Sequence, residues 1–173
     1  VRVKNGRGTT SVDVDGLRSD NAEFKGNKLK NVSADRFNFT NRPNSTELTA
    51  NNLRADRLDA KGVVIGGLDA PMVELDANGG TTVIYADKLR VAKIDAGSAI
   101  LGSLNIGGVR LMIRQGRVEG RTNDIDAGKV TLAKTKDLPE GGTLDAVKLT
   151  KPVFILGPSG RYRASADMSL GGG

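Results

Sequence analysis

Residues 48–75 read LTANNLRADRLDAKGVVIGGLDAPMVEL, and this stretch decides the fold. Its apolar residues come in pairs separated by one residue, and two further residues separate each pair from the next. Leu53 with Ala55 and Leu58 with Ala60 are two successive pairs of this kind. Two residues separated by one lie on the same side of an extended chain, because side chains alternate across a strand. The five-residue pattern therefore predicts short extended segments, each followed by a bend.

The same pattern runs through residues 12–111, where 34 of the 36 positions that it specifies are apolar. Among the other 64 residues of this region only seven are apolar, so composition alone does not produce the contrast. We expect the larger apolar residues of the pattern to face a common interior. These predicted core residues are Leu48, Leu53, Leu58, Val63, Leu68, Val73, Ile84, Leu89, Ile94, Leu104 and Val109.

A helix does not fit the pattern, because five residues advance an α-helix by about 500° and would scatter the apolar pairs around its surface. A flat strand does not fit either, because an odd period moves the apolar set to the opposite face after each unit. A chain that bends towards one interior every five residues does fit. The sequence thus predicts an all-β fold, an elongated β-solenoid (β-helix-like) over residues 12–111, in which successive coils stack.

A second period of 36 residues brings Leu17, Leu53 and Leu89 into register, each of them followed by Arg. Between the repeats, residues 42–47 and 78–83 contain Pro43 and the pair Gly79-Gly80, which predict a loop or bulge. Residues 1–11 form a separate basic segment.

Units such as Ala34-Asp35-Arg36-Phe37-Asn38 and Ala55-Asp56-Arg57-Leu58-Asp59 resemble those of pentapeptide-repeat proteins. The resemblance is one of architecture and covers residues 12–111. It implies a square β-helix built from five-residue faces.

Past residue 111 the five-residue pattern fades, and residues 112–173 predict β-hairpins. One hairpin is expected around Gln115-Gly116, and two strands joined by a Gly-Pro-Ser-Gly turn are expected over residues 152–164. The phrases GGVRL (107–111) and GRVEG (116–120) resemble bacterial AsmA/TamB-type envelope proteins over residues 84–173. This second resemblance implies an open β-groove with an apolar lining that carries lipids between membranes.

The chain contains no His and no Cys, which excludes imidazole bases, thiolate nucleophiles and the usual zinc ligands. Asp13 and Asp15 beside Gly16 suggest a calcium loop only weakly, and we interpret them as a solvated turn. Asp124 and Asp126 are expected to face outward on one strand, whereas a glycosidase needs its carboxylates in a cleft. We predict no catalytic residue, no metal site and no cofactor, and therefore no enzyme.

The formal net charge is +6, but the 13 basic and 13 acidic residues of 12–111 cancel. With only 3% aromatic residues and no concentrated basic face, the sequence predicts no nucleic-acid partner.

Two functions remain. One is a rigid, non-catalytic β scaffold or fibre segment of the bacterial cell envelope or exterior, in contact with copies of itself or neighbouring segments of a longer chain. The other is an AsmA/TamB-like groove that conducts lipids, with lipid or a membrane surface as its partner. Small residues such as Ala50, Ala55, Ala60 and Ala70 predict a tightly packed, closed interior, which favours the scaffold.

Overall fold

The computed structural model describes residues 1–24, 26–60 and 62–171, and these residues form one antiparallel sheet. The all-β prediction is confirmed, since the described residues contain fourteen strands and no helix. The strands are β1 (Arg2–Gly6), β2 (Thr9–Phe24), β3 (Asn27–Arg42), β4 (Ser45–Ala60), β5 (Val63–Asn78), β6 (Thr81–Asp95), β7 (Ala99–Leu101), β8 (Leu104–Arg114), β9 (Arg117–Arg121), β10 (Asp124–Ala127), β11 (Val130–Leu132), β12 (Gly142–Leu144), β13 (Ala146–Leu156) and β14 (Tyr162–Gly171).

Two-residue connections join the long strands of the N-terminal half. The pairs that close them are Gly6↔Thr9, Phe24↔Asn27, Arg42↔Ser45, Ala60↔Val63 and Asn78↔Thr81. These closing pairs recur every 18 residues, so one hairpin of two strands occupies 36 residues. The 36-residue sequence period is therefore the length of a hairpin, and the turn chemistry expected at Pro43 and at Gly79-Gly80 lies at two of these connections.

Consecutive strands stack side by side, as a solenoid-like architecture requires, but each strand runs antiparallel to its neighbours. The chain therefore reverses at the end of each strand, where the expected coils would have continued in one direction. Stacked coils and antiparallel strands both satisfy the backbone hydrogen bonds through the neighbouring coil or strand, and both keep apolar pairs on one face. Short reversals are allowed here because antiparallel strands need only a two-residue turn.

The bends predicted within each strand correspond to interruptions of the hydrogen-bonded ladder. Between β2 and β3, pairing is continuous except opposite Gly16 and opposite Asn31, and the register is the same on both sides of each gap. Gly16, Asn31, Asn52 and Gly67 each have positive φ and supply one left-handed residue to β2, β3, β4 and β5. A left-handed residue shifts the alternation by one position, so Val14 and Leu17 can share a face although they are three positions apart in the sequence.

The C-terminal part continues the same sheet with shorter strands. The hairpin expected around Gln115-Gly116 is present as β8–β9, and the expected pair of strands over 152–164 is present in β13–β14. β7 and β8 form one line against β6, interrupted at residues 102–103, where Gly102 N–H donates to Lys129 O at 2.6 Å. A longer connection over residues 133–141 separates β11 from β12.

Replacement of Leu53 by Asp tests the importance of the apolar face for folding. Leu53 is half-buried and lies directly opposite Ala70. We expect Leu53→Asp to lower the free energy of unfolding by about 2 kcal/mol or more, because a large apolar side chain contributes roughly 1.5–3 kcal/mol and the carboxylate loses hydration. Arg54→Gln is the matched control, since the exposed Arg54 only approaches Asp69 at 3.8 Å. Equal melting curves for both variants would contradict the assignment of Leu53 to an apolar face that stabilises the fold.

Replacement of Asn52 by Val tests the left-handed residues. Asn52 has φ 50°, which Asn tolerates and a β-branched residue does not. We expect Asn52→Val to destabilise the sheet by about 1–3 kcal/mol in urea denaturation. The neighbouring Asn51→Val is the control, because Asn51 lies in ordinary extended backbone of the same strand, where Val is favoured. A larger loss for Asn51→Val would be inconsistent with a bend at Asn52.

Candidate functional site

The most extensive chemical feature of the molecule is a continuous apolar face across β2–β8. Among the eleven predicted core residues, Leu104 is buried and the other ten are half-buried. The sheet register brings many of them beside one another or beside other members of the apolar pattern. Examples of direct cross-strand neighbours are Leu48↔Leu75, Leu58↔Ile65, Val73↔Ala86, Ile84↔Leu111, Leu89↔Ile106 and Leu104↔Val91.

Small residues form the floor of this face along the middle segment of the strands. Ala34, Ala55 and Ala70 retain only 1–3% of their exposure. Each lies directly opposite a larger residue, such as Leu17 for Ala34 and Leu53 for Ala70. The apolar face thus combines buried small residues with larger aliphatic residues that are half-buried.

The described residues provide no second layer over this apolar face. Each strand makes its substantial contacts with strands that are its hydrogen-bonded neighbours. None of the large apolar side chains that the structure describes is fully buried, and no charged or polar residue among them is buried. At the C-terminal end the apolar residues are more exposed, with Phe154 at 41% and Leu170 at 56%. The apolar face thus belongs to one sheet, with half-buried large side chains over β2–β8 and more exposed ones near the C-terminal end.

Hydrogen bonds on the polar side fix two of the interruptions in the ladder. Asn31 donates through Nδ2 to Oδ2 of Asp56, and Asn52 donates through Nδ2 to Oδ2 of Asp35, both at 2.7 Å. In each case the donor is a left-handed residue and the acceptor lies across from it, so both hydrogen bonds join β3 and β4. Sequence reasoning missed these pairs. The available signal was the Asn at positions 31 and 52, which the five-residue pattern counts only as polar.

The carboxylates considered from the sequence lie on two strands of the sheet, β2 and β10. Asp13 and Asp15 lie within strand β2, which corrects the expectation of a turn there, because Gly16 bends the strand without ending it. Asp126 lies 3.8 Å from Nζ of Lys148 and, together with Asp124, lines a shallow cleft of about 350 Å³. In the described part of the chain no three Asp or Glu residues gather closely enough to hold a metal ion.

Comparison with protein-family models, with curated proteins and with solved structures finds no match to this chain. The described residues also include no helix of the length and apolarity that a membrane span requires. The fold and the chemistry of its two faces are therefore the basis for assigning a function.

Enlarging a buried alanine of the apolar face tests the packing of that face. Ala70 is 1% exposed and lies directly opposite Leu53. We expect Ala70→Leu to lower the stability by about 1–3 kcal/mol in a thermal or urea melt, because the extra methylenes overfill a packed site. Ala96→Leu is the control, since Ala96 belongs to the same pattern but is exposed. If Ala70→Leu is as well tolerated as Ala96→Leu, the floor is not packed as described.

Proposed function

We propose that this protein is a non-catalytic segment of a bacterial envelope assembly whose apolar face binds and conducts the aliphatic chains of lipids, in the manner of AsmA/TamB-type proteins. The observation that carries the proposal is the continuous apolar face of a single sheet, over which the described residues provide no second layer. Soluble proteins seldom expose a large continuous apolar surface unless it binds a partner, a ligand or a membrane. The resemblance of residues 84–173 to these envelope proteins supports the same function.

The composition of the face favours a chain-like hydrocarbon ligand. Its side chains are mainly Leu, Ile, Val and Ala, and polar groups that would recognise a particular head group are absent from its described floor. Most small-molecule sites combine an apolar pocket with a few polar groups that fix the ligand's orientation. A uniformly aliphatic surface instead tolerates many positions of an acyl chain along its length, which suits movement of the ligand better than its fixation.

A rigid scaffold is the second candidate, and the constant register across β2–β6 favours it. Five successive reversals of equal length build a regular sheet, and β1 and β14 lie at its two edges. Edge strands carry backbone groups that can pair with copies of the chain or with neighbouring segments of a longer chain. In this alternative the apolar face would be covered by protein and would hold no lipid.

Photocrosslinking from the two faces distinguishes the candidates. A photoreactive phenylalanine analogue is placed at Leu53 or at Leu89, and the protein is mixed with vesicles of radiolabelled phospholipid. We expect these positions to crosslink to lipid, because both side chains lie on the apolar face and are half-buried. Mass spectrometry of organic extracts from the purified protein is the companion measurement, with co-purified lipid expected.

The matched controls are Arg54 and Arg90, which follow the two leucines in sequence and are exposed on the opposite face. Crosslinking confined to the leucine positions supports the groove. Equal labelling of both faces would indicate non-specific adsorption, and absence of lipid from both experiments would favour the scaffold.

A further inference from the structure

The polar face of the β8–β9 hairpin carries four arginines around one glutamate. Arg110 lies directly opposite Arg121, and Arg114 lies directly opposite Arg117. Between these two pairs, Met112 lies opposite Glu119. Since Leu111 and Ile113 belong to the other face by alternation, all six of these side chains project from the side of the sheet opposite the groove. We call this set the arginine cluster.

The single carboxylate of the cluster is already engaged. Glu119 is mostly covered, with 16% of its side chain exposed. Its Oε1 accepts hydrogen bonds from Nε of Arg121 at 2.9 Å and from Nη2 of Arg121 at 2.7 Å. Its Oε2 lies 3.9 Å from Nη2 of Arg117. Neither Arg110 nor Arg114 has a carboxylate within ion-pair distance in the described part of the chain.

This placement is unfavourable for the isolated sheet. Like charges directly opposite each other on neighbouring strands destabilise the pair, and here two such pairs share one hairpin. One glutamate against four arginines leaves a local charge of about three positive units, because arginine stays protonated at any ordinary pH. An anion bound between the arginines would relieve this repulsion.

The surface next to the cluster has room for such an anion. A cleft of about 220 Å³ is lined by Arg110, Met112, Glu119 and Arg121. A second cleft, of about 420 Å³, is lined by Arg114, Arg117 and Pro158 together with residues 112, 115 and 119. The two clefts thus flank the central Met112–Glu119 pair, and each has two guanidinium groups on its wall.

We propose that the arginine cluster is a binding site for phosphate-type oxyanions, on the face opposite the groove. The planar guanidinium group donates two parallel hydrogen bonds to a phosphate, which makes arginine well suited to this ligand. The phosphate can belong to a small soluble compound or to the head group of an anionic phospholipid. In either case the site acts through the polar face and does not depend on lipid binding in the groove.

Titration with pyrophosphate tests the site directly in the full chain. We expect saturable binding in calorimetry, weakened at least fivefold in the double variant Arg110→Gln/Arg114→Gln and reduced by added salt. The control is Arg18→Gln/Arg36→Gln, which removes the same charge from exposed positions of β2 and β3 and should bind as the unmodified protein does. Glu119→Gln removes the competing carboxylate and should tighten binding several-fold. Thermal melts establish that each variant is folded.

Sedimentation with vesicles separates the two sources of phosphate. Binding to vesicles that contain phosphatidylglycerol, but not to phosphatidylcholine alone, with the same loss in Arg110→Gln/Arg114→Gln, identifies the lipid head group as the ligand. Pyrophosphate binding without vesicle binding identifies a soluble phosphate. If neither probe binds, or if both double variants lose affinity equally, the arginine cluster is not a phosphate site.

Discussion

A constant antiparallel register over long, bent strands is the constraint on which the rest of the structure depends. The register is unchanged on both sides of every interruption between β2 and β6, so the bends of neighbouring strands coincide across the sheet. If one strand slipped by a single residue, its apolar pairs would move to the polar face. Two further features require the same register. These are the alternation of small and large residues across strands and the Asn–Asp hydrogen bonds at the bends.

Much of the fold can be predicted from the sequence, because side-chain burial alone determines the five-residue pattern. The all-β class, the short segments separated by bends and the hairpins near Gln115 and in β13–β14 all follow from apolar spacing and turn residues. The direction of successive strands does not follow. A bend such as that at Gly16 and a chain reversal such as that after Phe24 both place two polar positions between apolar pairs, so they look alike in the sequence.

The same ambiguity explains residues 42–47 and 78–83, which interrupt the five-residue pattern. At one end of the hairpins the apolar pairs adjoin the reversal, as the closing pair Phe24↔Asn27 shows. At the other end, three more residues on each strand lie between the apolar pair and the reversal, as between Phe39 and Leu48.

The candidate site was harder to predict. Apolar spacing identifies which side chains share a face, but a closed and an uncovered face require the same spacing. The arginine cluster depends on cross-strand register, which only the structure supplies.

The two faces of the sheet carry opposite chemistry throughout its length. Aliphatic side chains form one face, while Arg, Asp and Asn residues of the same strands form the other, with ion pairs such as Arg42–Glu47 at 2.9 Å. Isolated surface ion pairs contribute little to stability. The polar face therefore serves mainly to keep the sheet hydrated, and the β8–β9 hairpin is a strongly unbalanced region of it.

The constant 18-residue repeat of one strand and its connection also sets the dimension of the sheet across its strands. Adjacent strands lie about 4.8 Å apart, so each additional hairpin extends the sheet by roughly 10 Å and leaves its cross-section unchanged. Duplication or deletion of one 36-residue unit would thus change the reach of the molecule in equal steps, without redesign of any side-chain contact. Chains of this kind can be matched by evolution to the distance that they must span simply by gaining or losing whole units.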